Sequence, residues 1–462
     1  MLNLKDKNVV VLGLGKSGLS SCQLLSLLGA NVIVLDEKNR DELRGEINRL
    51  PEGIIVHYGE KIKEIPPCSL VVASPGFPLE HPWMKDAHNK GIPLIGEIEL
   101  GWQFLSHQPV IAITGTNGKS TTVTLIGEIL KNGGKNPVVC GNIDIPLTSV
   151  IPSIKKDNII VLEVSSFQLE TIVEFRADIS IFLNFAPNHL DRYLAIEDYI
   201  KAKAKIFENQ TEDDIMLINA DFPVVLNISR RSKAKVFLFS VKERLKEGLF
   251  IRNGMITARF SEKEETIMDI SEIKLPGLHN LENILASVLV SLLLRVDIEA
   301  IKNTIRNFSG LPHRIQPIAT ISNIMFVDDS KATNVSSCIA AIMSFDRPII
   351  LLAGGKDKRE DYTRLVPYLK ERVKKLVLFG ESADIISGMT SGAVETHKVS
   401  GIEEAVNLAY ALAEEDDIVL LSPCCSSFDQ FKDYKERGEF FVKCVYNLKS
   451  RLNGRGKVTS SV

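Results

Sequence analysis

An excess of charge of either sign is the first thing this sequence lacks. Its 55 basic residues against 58 acidic ones leave a formal net charge of -3. That near balance gives no electrostatic footprint for nucleic acid or for an anionic membrane surface. Long apolar runs are missing too. The best of them, Ile284 to Leu294, is closed by Arg295, is too short to span a bilayer and reads as a buried helix. The 7 cysteines are an odd number without framework spacing, and Cys424 and Cys425 are adjacent, not C-x-x-C. This excludes a disulfide-stapled scaffold and fits a reducing cytoplasm. Repeats, low-complexity tracts and polar linkers are absent. The opening MLNLKDKNVVVLGLG runs straight into a glycine turn, so it reads as a strand and not as a signal peptide. What remains is an ordinary globular composition, 45% hydrophobic and 24% charged, spread over 462 residues. That length is too great for one core and suits roughly three domains.

Short apolar strands alternating with helical patterns predict an α/β fold with parallel sheets. Strands are expected at Asn8–Leu12, Asn31–Leu35 and Leu70–Ala73 in a Rossmann-like section spanning 1–98. A second section, 99–310, opens with strand Val110–Thr114. Its following helix carries Val123, Ile126, Ile129 and Leu130 at helical spacing and stops at Gly133-Gly134. Further strands are expected at Ile159–Glu163 and Ile179–Asn184, with a small β subregion from Val236 to Ile273 and a closing helix from His279 to Leu294. A third, also Rossmann-like section, 311–462, has strands at Ile324–Val327, Ile349–Ala353, Leu376–Phe379 and Ile418–Leu421.

The densest chemistry lies in AITGTNGKSTT, Ala112 to Thr122. It resembles the phosphate loop G-x-x-x-x-G-K-[ST], but Ile113 stands where the first glycine belongs. A tight strand–loop–helix turn ending in Gly118, Lys119 and Ser120 is still enough to cradle a polyphosphate. The helix start favours an anion, Lys119 reaches the phosphates, and Ser120 can bind Mg²⁺. Glu163 ends the strand in IIVLEVSSFQLE. Ligands of open α/β sheets bind at the carboxyl ends of strands, where a carboxylate can hold Mg²⁺. Read alone, Glu163 is equally a surface residue; with the loop upstream, metal is the better reading. His189 and Asp191 follow a further strand end. Lys203 sits among Lys201 and Lys205, a run whose default is a solvated face. GLGKSG, with Gly13, Gly15 and Gly18, matches G-x-G-x-x-G, and Asp36 ends the next strand as a ribose-binding acid would. Read locally, this is a dinucleotide site and the chain a nicotinamide oxidoreductase; the same turn binds any diphosphate carrying a ribose. A nucleotide-driven switch is a third reading. In the last section FVDDSKATN, GGKDKRED and SPCCSSFDQFKDY each follow a strand and gather polar side chains that suit a carboxylate-bearing substrate.

In order along the chain, GTNGKSTT, LEVSSFQLE, NHLDRY, LHNLEN, GLPHR, DDSKATN, GGKDK and SPCCSSFDQF resemble the Mur ligase family of peptidoglycan synthesis over nearly the whole length. SSFQLE, DSKATN and the last motif are most similar to its D-glutamate-adding members. The resemblance implies an ATP-dependent amide ligase acting on UDP-N-acetylmuramoyl-L-alanine, in the cytoplasm and as a monomer, with two Mg²⁺ ions and small molecules as its only partners. It implies that Gly115, Thr116, Asn117, Gly118, Lys119, Ser120, Thr121, Asn280, Asn283, Arg314 and Asp329 serve ATP, with His313 in the same motif as Arg314. Glu163 would share the first metal with Ser120. His189 and Lys203 would hold the second, Lys203 as a carbamate. Gly15, Lys16, Ser17, Asp36 and Gly76 would take the UDP end, and Asn142 and Ser165 the muramoyl-alanine arm. Lys331 and Thr333 lie in the third-section motif; Thr333, Lys358, Ser427 and Tyr434 would take D-glutamate. Three departures from the family pattern stand out: Asn188 before His189, Tyr434 in place of a common Phe, and IDIP after Cys140-Gly141-Asn142.

Overall fold

The computed structural model describes residues 2–59, 62, 64–187, 192–193 and 195–456, the side chains through 452. They form two compact units. One comprises residues 1–185, 195–272 and 282–307; the other comprises 186–194, 273–281 and 308–462.

The first unit holds two sheets. Strands β1 (Asn8–Leu12), β2 (Asn31–Asp36), β3 (Ile55–Tyr58), β4 (Leu70–Ala73) and β5 (Leu94–Gly96) are parallel in the order β3-β2-β1-β4-β5. Central β1 is buried from Val9 to Leu12, as a strand covered on both faces must be. Glycine at 18 is dictated by packing: a Cβ there would lie 1.8 Å from the Gly13 carbonyl oxygen. β3 was not expected: its apolar run is short, Ile54 to Val56, and three of its four residues, IVHY, are exposed.

The second sheet has nine strands: β6 (Val110–Thr114), β7 (Asn136–Gly141), β8 (Asn158–Glu163), β9 (Ile179–Phe182), β10 (Ile215–Asn219), β11 (Lys235–Ser240), β12 (Gly248–Arg252), β13 (Met255–Phe260) and β14 (Lys263–Asp269), in the order β14-β13-β12-β11-β10-β9-β6-β8-β7. β6 lies between β8 and β9, parallel to both. The stretch expected to be a separate β subregion instead continues this sheet, joining through β11 and β12 and ending in an antiparallel meander. The helix Lys119–Asn132 buries Val123, Ile126, Ile129 and Leu130.

The expected boundary at 98/99 falls inside the helix Glu97–Trp102, whose two buried carboxylates bind the second sheet's connections. Glu99 accepts from the backbone N–H groups of Val173, Glu174 and Phe175. Glu97 Oε1 accepts from Thr148 N at 2.7 Å and Thr148 Oγ1 at 2.8 Å, and Thr148 Oγ1 is 2.8 Å from Ser20 Oγ. Burial pushes the Glu97 carboxyl up from 4.5 to about 7. A raised carboxyl favours the folded state while protonated, so this contribution is full below the ordinary value and is lost as pH rises to about 7. Glu97→Gln, neutral at every pH, is therefore expected to lose less melting temperature than the wild type between pH 5 and pH 8, roughly the window of that shift; thermal denaturation across that range checks it.

The second unit holds β15 (Gln316–Ile321), β16 (Ile324–Asp328), β17 (Ile349–Gly354), β18 (Val373–Phe379), β19 (Glu395–Lys398) and β20 (Ile418–Cys424), in the order β15-β16-β20-β17-β18-β19. All neighbours are parallel except β15 with β16. Strand ends run a residue or more past expectation at β16, β17 and β20, because pairing continues into Asp328, Gly354 and Cys424, residues that no apolar pattern includes.

Candidate active site

Within the first unit, β6 delivers the phosphate-loop sequence to the sheet's carboxyl edge. Gly118 takes φ +84° at the start of the helix Lys119–Asn132, and a Cβ there would lie 2.1 Å from Asn283 Oδ1. Only glycine satisfies both the left-handed backbone and that approach. The N-cap residue is this glycine, which has no side chain to cap the helix. Asn184, just past β9, clamps the loop. Its Oδ1 accepts from Asn117 N at 2.9 Å, its Nδ2 donates to Asn117 O at 3.2 Å, and its carbonyl accepts from Thr116 N at 3.1 Å. Lys119 Nζ donates to Gly115 O at 2.8 Å and Thr116 O at 3.0 Å. Thr122 Oγ1 lies 3.3 Å from Asn283 Oδ1. Thr116, Ser120 and Thr121 are buried.

Glu163 pairs with Ile113 across β8 and β6, which sets its carboxylate beside the loop. It is 3% exposed. Its Oε1 accepts from Asn142 Nδ2 at 3.0 Å, whereas its buried Oε2 has no hydrogen-bond partner among the described residues. A buried carboxylate oxygen left unpaired is costly unless something positive meets it. Lys203, whose lysine run read locally has a solvated face as its default, is instead 2% exposed. The helix Ile196–Ala204 turns it inward, where Nζ donates to Gly115 O at 2.9 Å and lies 4.7 Å from the Tyr199 ring centroid. Burial, reinforced by the Lys119 charge and opposed by Glu163, holds its amine well below the ordinary lysine value. The neighbouring Lys201 is exposed. His189, with Asn188 and Asp191, lies outside the described residues.

In the first sheet's loop, Gly15 and Gly76 face open space. Asp36, expected to face a ribose, is buried and already engaged. Its Oδ2 accepts from Leu14 N at 2.7 Å and its Oδ1 from Lys38 N at 2.9 Å. Lys16 pairs with Asp144 of the IDIP departure at 2.7 Å. Ser17 O accepts from Ser20 Oγ. Ser165 caps the helix Ser166–Leu169 in a capping box with Gln168.

The second unit gathers its motifs at the carboxyl ends of β16, β17 and β20. His313 Nδ1 is 2.7 Å from Asp328 Oδ2. Asp329 accepts from Ile315 N at 3.2 Å and Ser422 Oγ at 2.8 Å, and burial pushes its carboxyl up to about 7. Lys331 Nζ stands 3.7 Å from the Tyr434 ring centroid, and His313 meets the same ring edge-on. Asn280 Nδ2 donates to Pro276 O at 2.7 Å. The Arg314 charge and, above all, burial hold His279 down at about 4. Arg437, which sequence reasoning passed over, is fully buried and donates to Ser330 Oγ and to the carbonyls of Ser330, Cys425 and Ser426. It thereby ties the loop of Lys331 and Thr333 to that of Ser427. Asn184, Tyr199 and Arg437 were missed because none belongs to a motif; only the tertiary contacts single them out.

Three family models match in series: the MurD-like N-terminal domain of Mur ligases over residues 7–96, the Mur ligase middle domain over 113–291, and the Mur ligase glutamate ligase domain over 313–425. The chain belongs to the Mur ligase family and is an ATP-dependent ligase. Within that family it is similar, nearly end to end, to proteins named UDP-N-acetylmuramoylalanine--D-glutamate ligase. The one from Thermoanaerobacter sp. (strain X514) is 42% identical, covering 97% of this chain and 100% of its own. That from Koribacter versatilis (strain Ellin345) is 43% identical, covering 97% and 99%. The fold is shared with MurF ligase from Thermotoga maritima in complex with ADP, at TM-score 0.61, 18% identity and 96% coverage of both chains. It is also shared with the UDP-N-acetylmuramate-alanine ligase MurC of Thermotoga maritima, at TM-score 0.59, 19% identity, and coverage of 96% of this chain and 100% of that one.

Proposed function

We propose that the protein joins D-glutamate to UDP-N-acetylmuramoyl-L-alanine at the expense of ATP, in cytoplasmic peptidoglycan precursor synthesis. The relatives' shared name supports the reaction, and the observation that carries the chemistry is the Glu163 oxygen that has no partner among the described residues, beside the loop of Lys119 and the buried Lys203. The alanine carboxylate attacks the γ-phosphorus of ATP, the bond to ADP breaks, and an acyl phosphate forms. This step is needed because a free carboxylate is a poor electrophile. The amine of D-glutamate then attacks the acyl carbon, loses a proton, and phosphate departs with the bonding pair from the tetrahedral intermediate. Lys119 holds the phosphates in line and offsets the charge that develops on them.

Oxygen donors suit Mg²⁺, and a site with few protein ligands suits an ion that keeps waters and phosphate oxygens. Glu163 Oε2 and the Ser120 hydroxyl would hold one ion, and His189 with Lys203 the second; bound there, the ions would neutralise phosphate charge. An ammonium has no lone pair to offer a cation. Lys203 therefore serves as a carbamate: its neutral amine adds CO₂, a N–C bond forms and a proton is released. Asn280, Asn283, Arg314 and Asp329 take the nucleotide, Asn142 and Ser165 the muramoyl-alanine arm, the GLGKSG turn the UDP end, and Thr333, Lys358, Ser427 and Tyr434 the incoming D-glutamate. The protein works as a monomer, with its functional divisions at 1–98, 99–310 and 311–462. Among the described residues no helix is long and apolar enough to cross a membrane.

Phosphate release tests this reading. With ATP, Mg²⁺ and UDP-N-acetylmuramoyl-L-alanine present, release is expected to depend on D-glutamate and not on L-alanine or a diamino acid. ATP with Mg²⁺ is expected to raise the melting temperature, since a ligand at 100 times its Kd adds roughly 2.7 kcal/mol of stability, and NAD is not. Stabilisation by NAD alone would restore the oxidoreductase reading.

A further inference from the structure

We infer that Tyr362 is a positioning residue of the D-glutamate subsite, its hydroxyl locking the loop that carries Lys358 to the loop that carries Ser427. The inference rests on the proposed assignment of those two residues to D-glutamate. The loops leave β17 and β20, which are paired in parallel. Their backbones form one isolated bridge, in which Lys356 N donates to Ser426 O at 2.9 Å and Ser426 N to Lys356 O at 3.1 Å, and Ser426 Oγ adds a bond to Lys356 O at 3.0 Å. One bridge fixes one residue pair and leaves the residues on either side to other contacts. Those beside it are Asp357, next to Lys358, and Cys425, two before Ser427.

The Tyr362 hydroxyl joins these two. It donates to Asp357 Oδ1 at 2.8 Å and lies 3.0 Å from Cys425 Sγ. Its one proton goes to the carboxylate, so the thiol donates to the phenol oxygen. Ser382 Oγ, 3.2 Å from the same sulfur, then donates to it. The result is a directional relay from Ser382 through Cys425 and Tyr362 to Asp357, and Ser382 N is itself bonded to Gly355 O at 2.9 Å. Tyr362 is 0% and Cys425 1% exposed, so water does not replace a partner lost by the phenol or the thiol, whereas Asp357 is half-buried. Burial raises both acids, the thiol to about 11, which keeps the relay's protons in place. The ring packs among the apolar residues under the sheet, a task phenylalanine performs equally well. Among the described residues the hydroxyl's partners lie in the two loops.

Steady-state phosphate release, with D-glutamate varied at saturating ATP and UDP-N-acetylmuramoyl-L-alanine, tests this. Tyr362→Phe is expected to raise the KM for D-glutamate about five-fold, the factor a single net hydrogen bond is typically worth, with kcat and the KM for ATP unchanged. Asp357→Asn keeps an acceptor and should stay near wild type. Asp357→Ala should match Tyr362→Phe, and the double variant should be no worse than either single one, as coupled partners require. An unchanged KM in Tyr362→Phe, alongside a raised KM in Lys358→Ala, overturns the inference and leaves the subsite reading intact. Equal losses of kcat and melting temperature without a KM effect also overturn it, reducing the hydroxyl to a folding role. If Lys358→Ala leaves the KM unchanged too, the subsite assignment falls and the inference with it.

Discussion

Lys119→Ala is expected to lower turnover by about 10²–10³-fold, the range lost when one preorganised donor to a developing charge is removed. The loop backbone already holds this ammonium near the helix start through Gly115 O and Thr116 O, so little reorganisation is needed when phosphate charge develops. Folding should be nearly untouched. The turn keeps Gly118 and the bonds from Asn184, and Gly115 O, which also accepts from Lys119, keeps its bond from Lys203. Lys119→Arg should not restore activity, since a planar fork on a longer arm is not a point charge. Single-turnover phosphate release together with thermal melting separates the two effects. Turnover close to wild type in Lys119→Ala would remove the phosphate loop from the mechanism.

Lys203→Met should be the second severe loss, again on the order of 10²-fold or more, because a preorganised group of the phosphate site disappears. Here stability is expected to move the other way. A polar side-chain end buried against Gly115 O and an aromatic ring is costly to desolvate, as amine or as carbamate, and methionine fills similar volume without that cost. Gly115 O keeps its bond from Lys119. The variant should therefore melt at or above the wild-type temperature while inactive, the exchange of stability for function common at active sites. Carbon-13 NMR after equilibration with labelled bicarbonate should show a carbamate carbon in the wild type and none in Lys203→Met. An active variant, or identical spectra, would exclude the carbamate.

Much of this was readable along the chain because the signals are local. GTNGKS needs only a strand before it and a helix after it, and β6 and the helix Lys119–Asn132 stand where that pattern predicts. The apolar runs behind β1, β4 and β6 coincide with the strands residue for residue. Several strands were missed, β7 and β10 among them although each carries a short apolar run. β3 and β19 are exposed edge strands, whose pairing is imposed by neighbours and not by their own pattern. The meander β12–β14 shows alternation, but no local rule says which sheet it joins.

The sequence by itself determined the α/β class, the phosphate loop and the order of the ligase motifs, since each rests on residues close enough along the chain to act through backbone geometry alone. Tertiary structure decided which polar groups lose water. It buried Lys203 and left Lys201 in solvent. It bound Asp36 to its own glycine turn, left one Glu163 oxygen without a partner among the described residues, and set Arg437 and Tyr362 between loops far apart in sequence. The cost of burying a charge or a hydroxyl depends on what surrounds it in space, and no spacing along a chain carries that.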